Sequence, residues 1–379
     1  MTVRNLRAAL TAILLGTATA GAAALALTAP AQAVTVSNKV GVLLKEVPAL
    51  IAAKNYKGAM AKLNEAEAVK SVPDDTTVIN QYKRVIAVSS ADPSTPEGAK
   101  AKFAQDYNAG HFKDVIADAE YLKKNNVFDA QSQLIVGQAY YKANDYAGCV
   151  RYSKTIPQSD TALELQARCA YESGDEATQR QAYEQLVARS GKPEYWNGLL
   201  KLGERSRGLS DHNTLDINRL RLMEAGSLMT KDDYVSLSQF ALQFGFAAEA
   251  QAALEKGVAA KVVSDERSMK LLATAKQMAA ANLAGEAKKL AAAQAAPQGD
   301  DQLLAGENMI GEGKAKDAIG VIQGALKKPL KDANNGQIRL GQAYLAAGQK
   351  SEAKAAFAKV KTPEKDAMVA HLWVLAASH

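Results

Sequence analysis

"LIVGQAYYKANDYAGC" fills residues 134–149, and "IRLGQAYLAAGQKSEA" fills residues 338–353. Both contain Gly-Gln-Ala-Tyr, and both place a small residue, Cys149 or Ala353, twelve positions after that glycine. Gly137 and Gly341 lie 204 positions apart, a multiple of about 34, one of the periods at which helical repeats recur. Further copies of the second half of the phrase support a repeat. "GHFKDVIADA" starts at Gly110 and "NDYAGCVRYS" at Asn144, 34 positions later. "GFAAEAQAAL" starts at Gly245, "GKAKDAIGVI" at Gly313 and "GQKSEAKAAF" at Gly348. Weaker copies begin at Asn55 and Gly174.

Each copy obeys one physical grammar. A Gly or Asn ends a helix, where a left-handed residue is easily accommodated. An apolar face then recurs at helical spacing, as in Phe112, Val115, Ile116 and Ala119, the i, i+3, i+4, i+7 pattern. Upstream, Gly137 lets two helices approach and Tyr140 fills the space beside it. Aromatic residues are only 6% of the chain, and it is rich in Ala, which favours helix over sheet. The expected fold is all-α.

These positions resemble the tetratricopeptide repeat (TPR). Gly137 and Tyr140 match the small and aromatic residues of its first helix, and Cys149 stands where the family usually has Ala. Gly341, Tyr344, Ala353 and Phe357 match more fully, whereas Ser153 replaces the usual aromatic. The resemblance implies helix-turn-helix units stacked into a superhelical solenoid. The alternative is an irregular helical bundle, also all-α. By analogy with the family, one face of the first helices lines a concave groove: Leu134, Gln138 and Tyr141 in one copy, Ile338, Gln342 and Leu345 in the other. The competing reading packs those residues against the neighbouring repeat. Gln offers a donor and an acceptor to a peptide backbone, and Tyr offers area with a polar tip.

Punctuation divides the chain into 34–90, helical hairpins; 97–190, TPR-like repeats; 191–297, degenerate repeats; and 298–379, further repeats with a closing helix. "SSADPSTPEG" (89–98) is a loop, since Pro93 and Pro96 bar helix through it, and Ser94 or Thr95 can cap the next helix. Pro297 and Gly299 mark a second joint. The middle, through Tyr195, Trp196, Asp233, Tyr234, Gly245, Ala250 and Gly257, resembles exported bacterial proteins with degenerate repeats, a likeness that supplies no activity. The closing helix of "TPEKDAMVAHLWVLAASH" has Thr362 as expected cap and Pro363 as first residue. It either covers the last repeat's open core or serves as an exposed docking helix.

Residues 1–33 read as a secretory signal: Arg4 and Arg7, an apolar run, then Pro30-Ala31-Gln32-Ala33, with cleavage after Ala33. The competing reading is an uncleaved anchor, against which stand Gly16, Gly21 and the Ala-x-Ala end. Cleavage removes two positive charges and takes the formal +6 to +4. That modest charge, without a basic block, argues against nucleic-acid binding. The mature chain is expected in the periplasm, without stable membrane insertion.

No constellation for catalysis stands out. The histidines at 111, 212, 371 and 379 do not form an i, i+4 pair, and there is no Cys-x-x-Cys or phosphate loop. Ser210, Asp211 and His212 are adjacent, whereas a triad converges from separate segments; they read as a loop and helix cap. No cofactor, metal or enzymatic activity is expected. Cys149 and Cys169 are the only cysteines; in an oxidising compartment they are a candidate disulfide, or else two small buried residues. The expected function is a non-catalytic scaffold that binds a protein or peptide partner and serves cell-envelope or outer-membrane assembly. The alternatives are a chaperone-like or structural accessory of a secretion or envelope complex and, third, an enzyme.

Overall fold

The small residues that open the repeated phrases set the geometry of the whole chain. In the computed structural model, which describes residues 36–379, Gly110, Asn144, Gly174, Gly245, Gly313 and Gly348 all have φ between 58° and 84°. In the copy read from Asn55, Lys54 takes the left-handed turn at φ 57°. One left-handed residue closes a helix and lets the next start almost at once. Three of the starts are capped from within the same phrase: Asn55, Asp145 and Asp175 accept the backbone N–H of Gly58, Gly148 and Thr178. The signal segment read at residues 1–33 lies outside the described residues.

The chain divides into two compact units, one ending at Pro157 and one beginning at Gln158. The division falls inside the stretch that punctuation joins as 97–190. The first unit contains α1 (Asn38–Leu44), α2 (Val47–Ala52), α3 (Tyr56–Ala68), α4 (Pro73–Ser90), α5 (Pro96–Ala109), α6 (Phe112–Lys124), α7 (Ala130–Lys142) and α8 (Tyr146–Ser153). From α3 onward each helix packs on the next, and α1 and α2 pack on α3. The loop read at 89–98 is confined to residues 91–95: α4 runs on to Ser90, and α5 begins at Pro96 with Thr95 as its cap. Asp75 is fully buried at the start of α4. Burial alone would raise its carboxyl, but N–H donors from Ser71, Ser37 and Val72 outweigh that and hold it below the usual range. In the α7–α8 hairpin, Tyr140 packs its ring 5.3 Å from Tyr152. The aromatic missing at Ser153 is thus supplied one position earlier.

The second unit contains α9 (Asp160–Ser173), α10 (Glu176–Ser190), α11 (Pro193–Glu204), α12 (Asp211–Glu224), α13 (Lys231–Gln243), α14 (Ala247–Ala259), α15 (Glu266–Ala295), α16 (Asp300–Gly311), α17 (Ala315–Ala325), α18 (Ala333–Ala346), α19 (Lys350–Phe357) and α20 (Glu364–Ala376). Successive helices again pack in chain order. The α18–α19 hairpin shows why the full motif sits there: a Cβ at Gly341 would collide with the Phe357 ring, and Ala353 and Phe357 are buried. Among the described residues there is no strand, and the fold is all-helical and TPR-like.

Two features were not expected. α15 runs unbroken for 30 residues, where the period would place a turn. α20 covers the last repeat, as one reading of the closing helix has it, with Trp373 stacked 5.9 Å from Phe357, but it also reaches back to α10 and α12. Its first helical residue is Glu364 rather than Pro363, which sits in the extended flanking position. One core therefore joins Leu186 and Trp196 from the start of this unit to Leu372 and Trp373 from its end.

Candidate functional site

Because α20 folds back, α12 is wrapped by other helices and even its polar residues are interior. Asp216 and Arg219 are three apart and so share a face of α12. Glu249 comes from α14, Glu307 from α16, and Arg339 and Gln342 from α18. Asp216 and Arg339 are completely buried. The Arg339 guanidinium forks onto both Asp216 oxygens, donating to Oδ1 at 2.7 Å and closely to Oδ2, and also reaches Glu307 Oε1 at 2.8 Å. Arg219 forks onto Glu249, with Nε to Oε1 and Nη2 to Oε2 both 2.7 Å. Its Nη1 donates to Glu307 Oε1 at 2.7 Å and Asp216 Oδ1 at 3.2 Å. Gln342 donates to Asp216 Oδ1 at 2.8 Å and accepts from Arg339 at 2.9 Å. Planar, bidentate pairing of this kind suits Arg and not Lys.

Burial would push the Asp216 carboxyl up, but the Arg339 and Arg219 charges prevail and hold it below the ordinary carboxylate range. Burial lowers Arg219's affinity for its proton, and Glu249 and Glu307 more than reverse that. His212 faces the group with Nδ1 4.0 Å from Glu307 Oε1 and its ring 3.8 Å from that of Phe244. Burial holds its pKa below 6.5 despite Glu307, so it is neutral at neutral pH. Two arginines and three carboxylates leave one net negative charge. The network opens on a pocket of about 250 Å³ lined by Arg219, Glu249, Glu307 and Gln342 on its polar side and by Ile310, Leu345 and Trp373 on its apolar side.

A second concave surface lies on α9, α10 and α11. It is a groove of about 440 Å³ holding Tyr171, Tyr183, Tyr195, Lys201 and Arg205. Gly198 leaves room for the Tyr183 ring. Tyr195 donates its hydroxyl to Glu164 at 2.5 Å, which with burial pushes the phenol up to about 12. Arg205 lies over the exposed Tyr171 ring at 5.9 Å. Among the described residues no carboxylate pairs with Lys201 or Arg205. A third, apolar groove of about 520 Å³ runs beside the middle of α15, with Phe244, Phe246, Met278, Leu290, Leu304 and Met309 along it.

The residues picked from the sequence fall differently in the two units. Leu134, Gln138 and Tyr141 are half-buried on α7; Gln138 accepts the Tyr107 hydroxyl at 3.2 Å, and Tyr141 lies 5.5 Å from the Tyr146 ring. Ile338 and Gln342 are buried: in this copy the face read as a groove is filled by α12, and Gln342 spends its amide on Asp216 and Arg339. Leu345 is half-buried at the pocket wall. Ser210 does cap its helix, accepting the Asn213 N–H at 3.1 Å. Neither cysteine is a free thiol. Asp106, His111 and Asp114 bring three ligand atoms within 4.8 Å of one another at the α5–α6 turn, with Asp106 already held by Lys102 at 2.6 Å. Asp216, Glu307 and Arg339 were missed; their signal was the placing of charges on otherwise apolar helix faces.

No family model matches the sequence, and no curated protein does. Solved structures that match include TTC0263, a thermophilic TPR protein of Thermus thermophilus, at 20% identity over 61% of this chain and 89% of that one, with a TM-score of 0.17. The TPR domain of P58(IPK) is 12% identical over 89% of this chain and 97% of its own, at a TM-score of 0.24. Yeast Tom70 is 10% identical over 89% and 95%, at 0.21. At such TM-scores these likenesses decide nothing further, and the TPR-like fold stands on the hairpin packing of this chain. Among the described residues no helix is long and apolar enough to cross a membrane.

Proposed function

We propose that this protein is a non-catalytic scaffold that holds a protein partner in the periplasm, in the service of cell-envelope or outer-membrane assembly. The observation that carries the binding role is the α9–α11 groove. Its tyrosines present large, rigid area at low entropic cost, the composition enriched where proteins meet. Lys201 and Arg205 stand ready for the carbonyls or carboxylates of a bound segment. Support for the location is the basic, apolar and Ala-x-Ala succession of residues 1–33. The reading as a chaperone-like accessory has its own support in the α15 groove, where Met278 and Met309 give an adaptable apolar surface.

The test is a photo-crosslinking amino acid placed at Tyr171 in cells. A scaffold gives one discrete adduct with an envelope protein, lost on Arg205→Ala at unchanged melting temperature. Adducts with many unrelated proteins, together with suppressed aggregation of unrelated clients, select the accessory reading. No adduct at all overturns the groove.

A further inference from the structure

The pocket beside the buried ionic network has an unusual balance of partners. Arg219 lines it, yet every guanidinium nitrogen of Arg219 already donates to a carboxylate. Its positive charge is thus spent on its neighbours. The carboxylates are not spent. Each oxygen can accept more than one hydrogen bond, and among the described residues Glu249 receives only the two from Arg219. Glu307, 2% exposed, takes its hydrogen bonds on Oε1, and among the described residues nothing pairs with Oε2. Trp373 lines the same pocket, 5% exposed. Ile310, Leu345, Ala346 and Met223 complete an apolar wall.

From this geometry we propose that the pocket binds a cation carried on an aliphatic stem, a primary ammonium or a guanidinium. The charged head meets Glu307 and Glu249, where three carboxylates against two arginines leave a negative surplus. The methylene stem lies along Leu345, Ile310 and Met223 as such stems do on apolar surface. An anion meets an Arg219 whose charge is already engaged by Glu249, Glu307 and Asp216. At about 250 Å³, the space of roughly eight waters, the pocket admits one lysine- or arginine-sized group. That group comes either from a free small amine or from a basic side chain of a partner. The proposal does not depend on what the α9–α11 groove holds.

Titration calorimetry on the mature protein uses agmatine and cadaverine as free cations, N-acetyl-lysine amide and N-acetyl-arginine amide as side-chain mimics, and 1-pentanol and glutarate as neutral and anionic controls. The expected result is saturable binding of at least one cation, with no binding of either control. Glu249→Gln, which leaves Arg219 paired with Asp216 and Glu307, should weaken it at least tenfold. Met223→Lys, at the exposed rim, should place a tethered ammonium in the pocket and block binding without loss of fold. Tight binding of the free amines alone points to a small-molecule ligand, and preference for the capped residues points to a partner's side chain. Absence of cation binding up to millimolar, equal binding of glutarate, or full affinity in both folded variants overturns the site.

Discussion

Asp216 illustrates how one side chain can be structural in two senses. It is buried with Arg339 across 123 positions of sequence, and taking either partner away leaves a charge in the interior. Asp216→Asn should destabilise the protein by about 3–5 kcal/mol, the usual cost of an uncompensated buried charge, measured by chemical denaturation. A change below about 1 kcal/mol would mean that water reaches Arg339. The linkage has a definite sign. The folded carboxyl lies below its ordinary 3.8, so its stabilisation is present above that value and lost as pH falls through the folded one. Residues on α7 separate packing from binding in a similar way. Tyr140→Ala removes the ring packed on Tyr152 and should cost about 2–4 kcal/mol. Gln138→Ala with Tyr141→Ala should weaken partner capture at nearly unchanged melting temperature. If the pair costs as much as Tyr140→Ala, the α7 face is packing and not a binding surface.

At the scale of elements, the hairpins were legible because their determinants are local. A left-handed Gly or Asn, the helix start that follows it at once and an apolar stripe all lie within one phrase, so six turns could be placed from sequence. The long α15 was not legible, because Gly285 alone does not stop a helix and its Ala-rich middle has strong propensity. Nor was the return of α20, which depends on contacts with α10 and α12 that no local pattern encodes. That return includes His371, whose Nε2 lies 3.4 Å from Glu184 Oε1 on α10. The hydrogen bond to Glu184 raises its pKa above 6.5 against burial and Arg180. A raised folded value means that the contribution is complete below 6.5 and fades as pH rises through the folded value. The wild-type melting temperature should therefore fall, relative to His371→Ala, as pH passes from 6 to 8. Parallel curves for the two proteins would show that the pair contributes nothing, as many half-exposed pairs do.

For the whole molecule, the buried ionic core and the proposed export signal make demands of different kinds. The core needs helices 123 positions apart to meet before Asp216 and Arg339 are both satisfied, and nothing in a single sequence announces such a pair. The export signal proposed at residues 1–33 rests on a local pattern, and it would carry a consequence for the cysteines. A chain delivered to an oxidising compartment keeps its disulfides, whereas cytosolic thiols are held reduced. With neither Cys149 nor Cys169 free in the fold, export and oxidation should be observed together. N-terminal sequencing of the protein from the periplasmic fraction should begin at Val34, and thiol titration of that protein under denaturing conditions should find no free thiol before reduction and two afterwards. A chain that still begins at Met1 would defeat the periplasmic assignment. Two free thiols in a chain beginning at Val34 would keep the location and defeat the oxidised state, because that protein would have crossed into the compartment without using it.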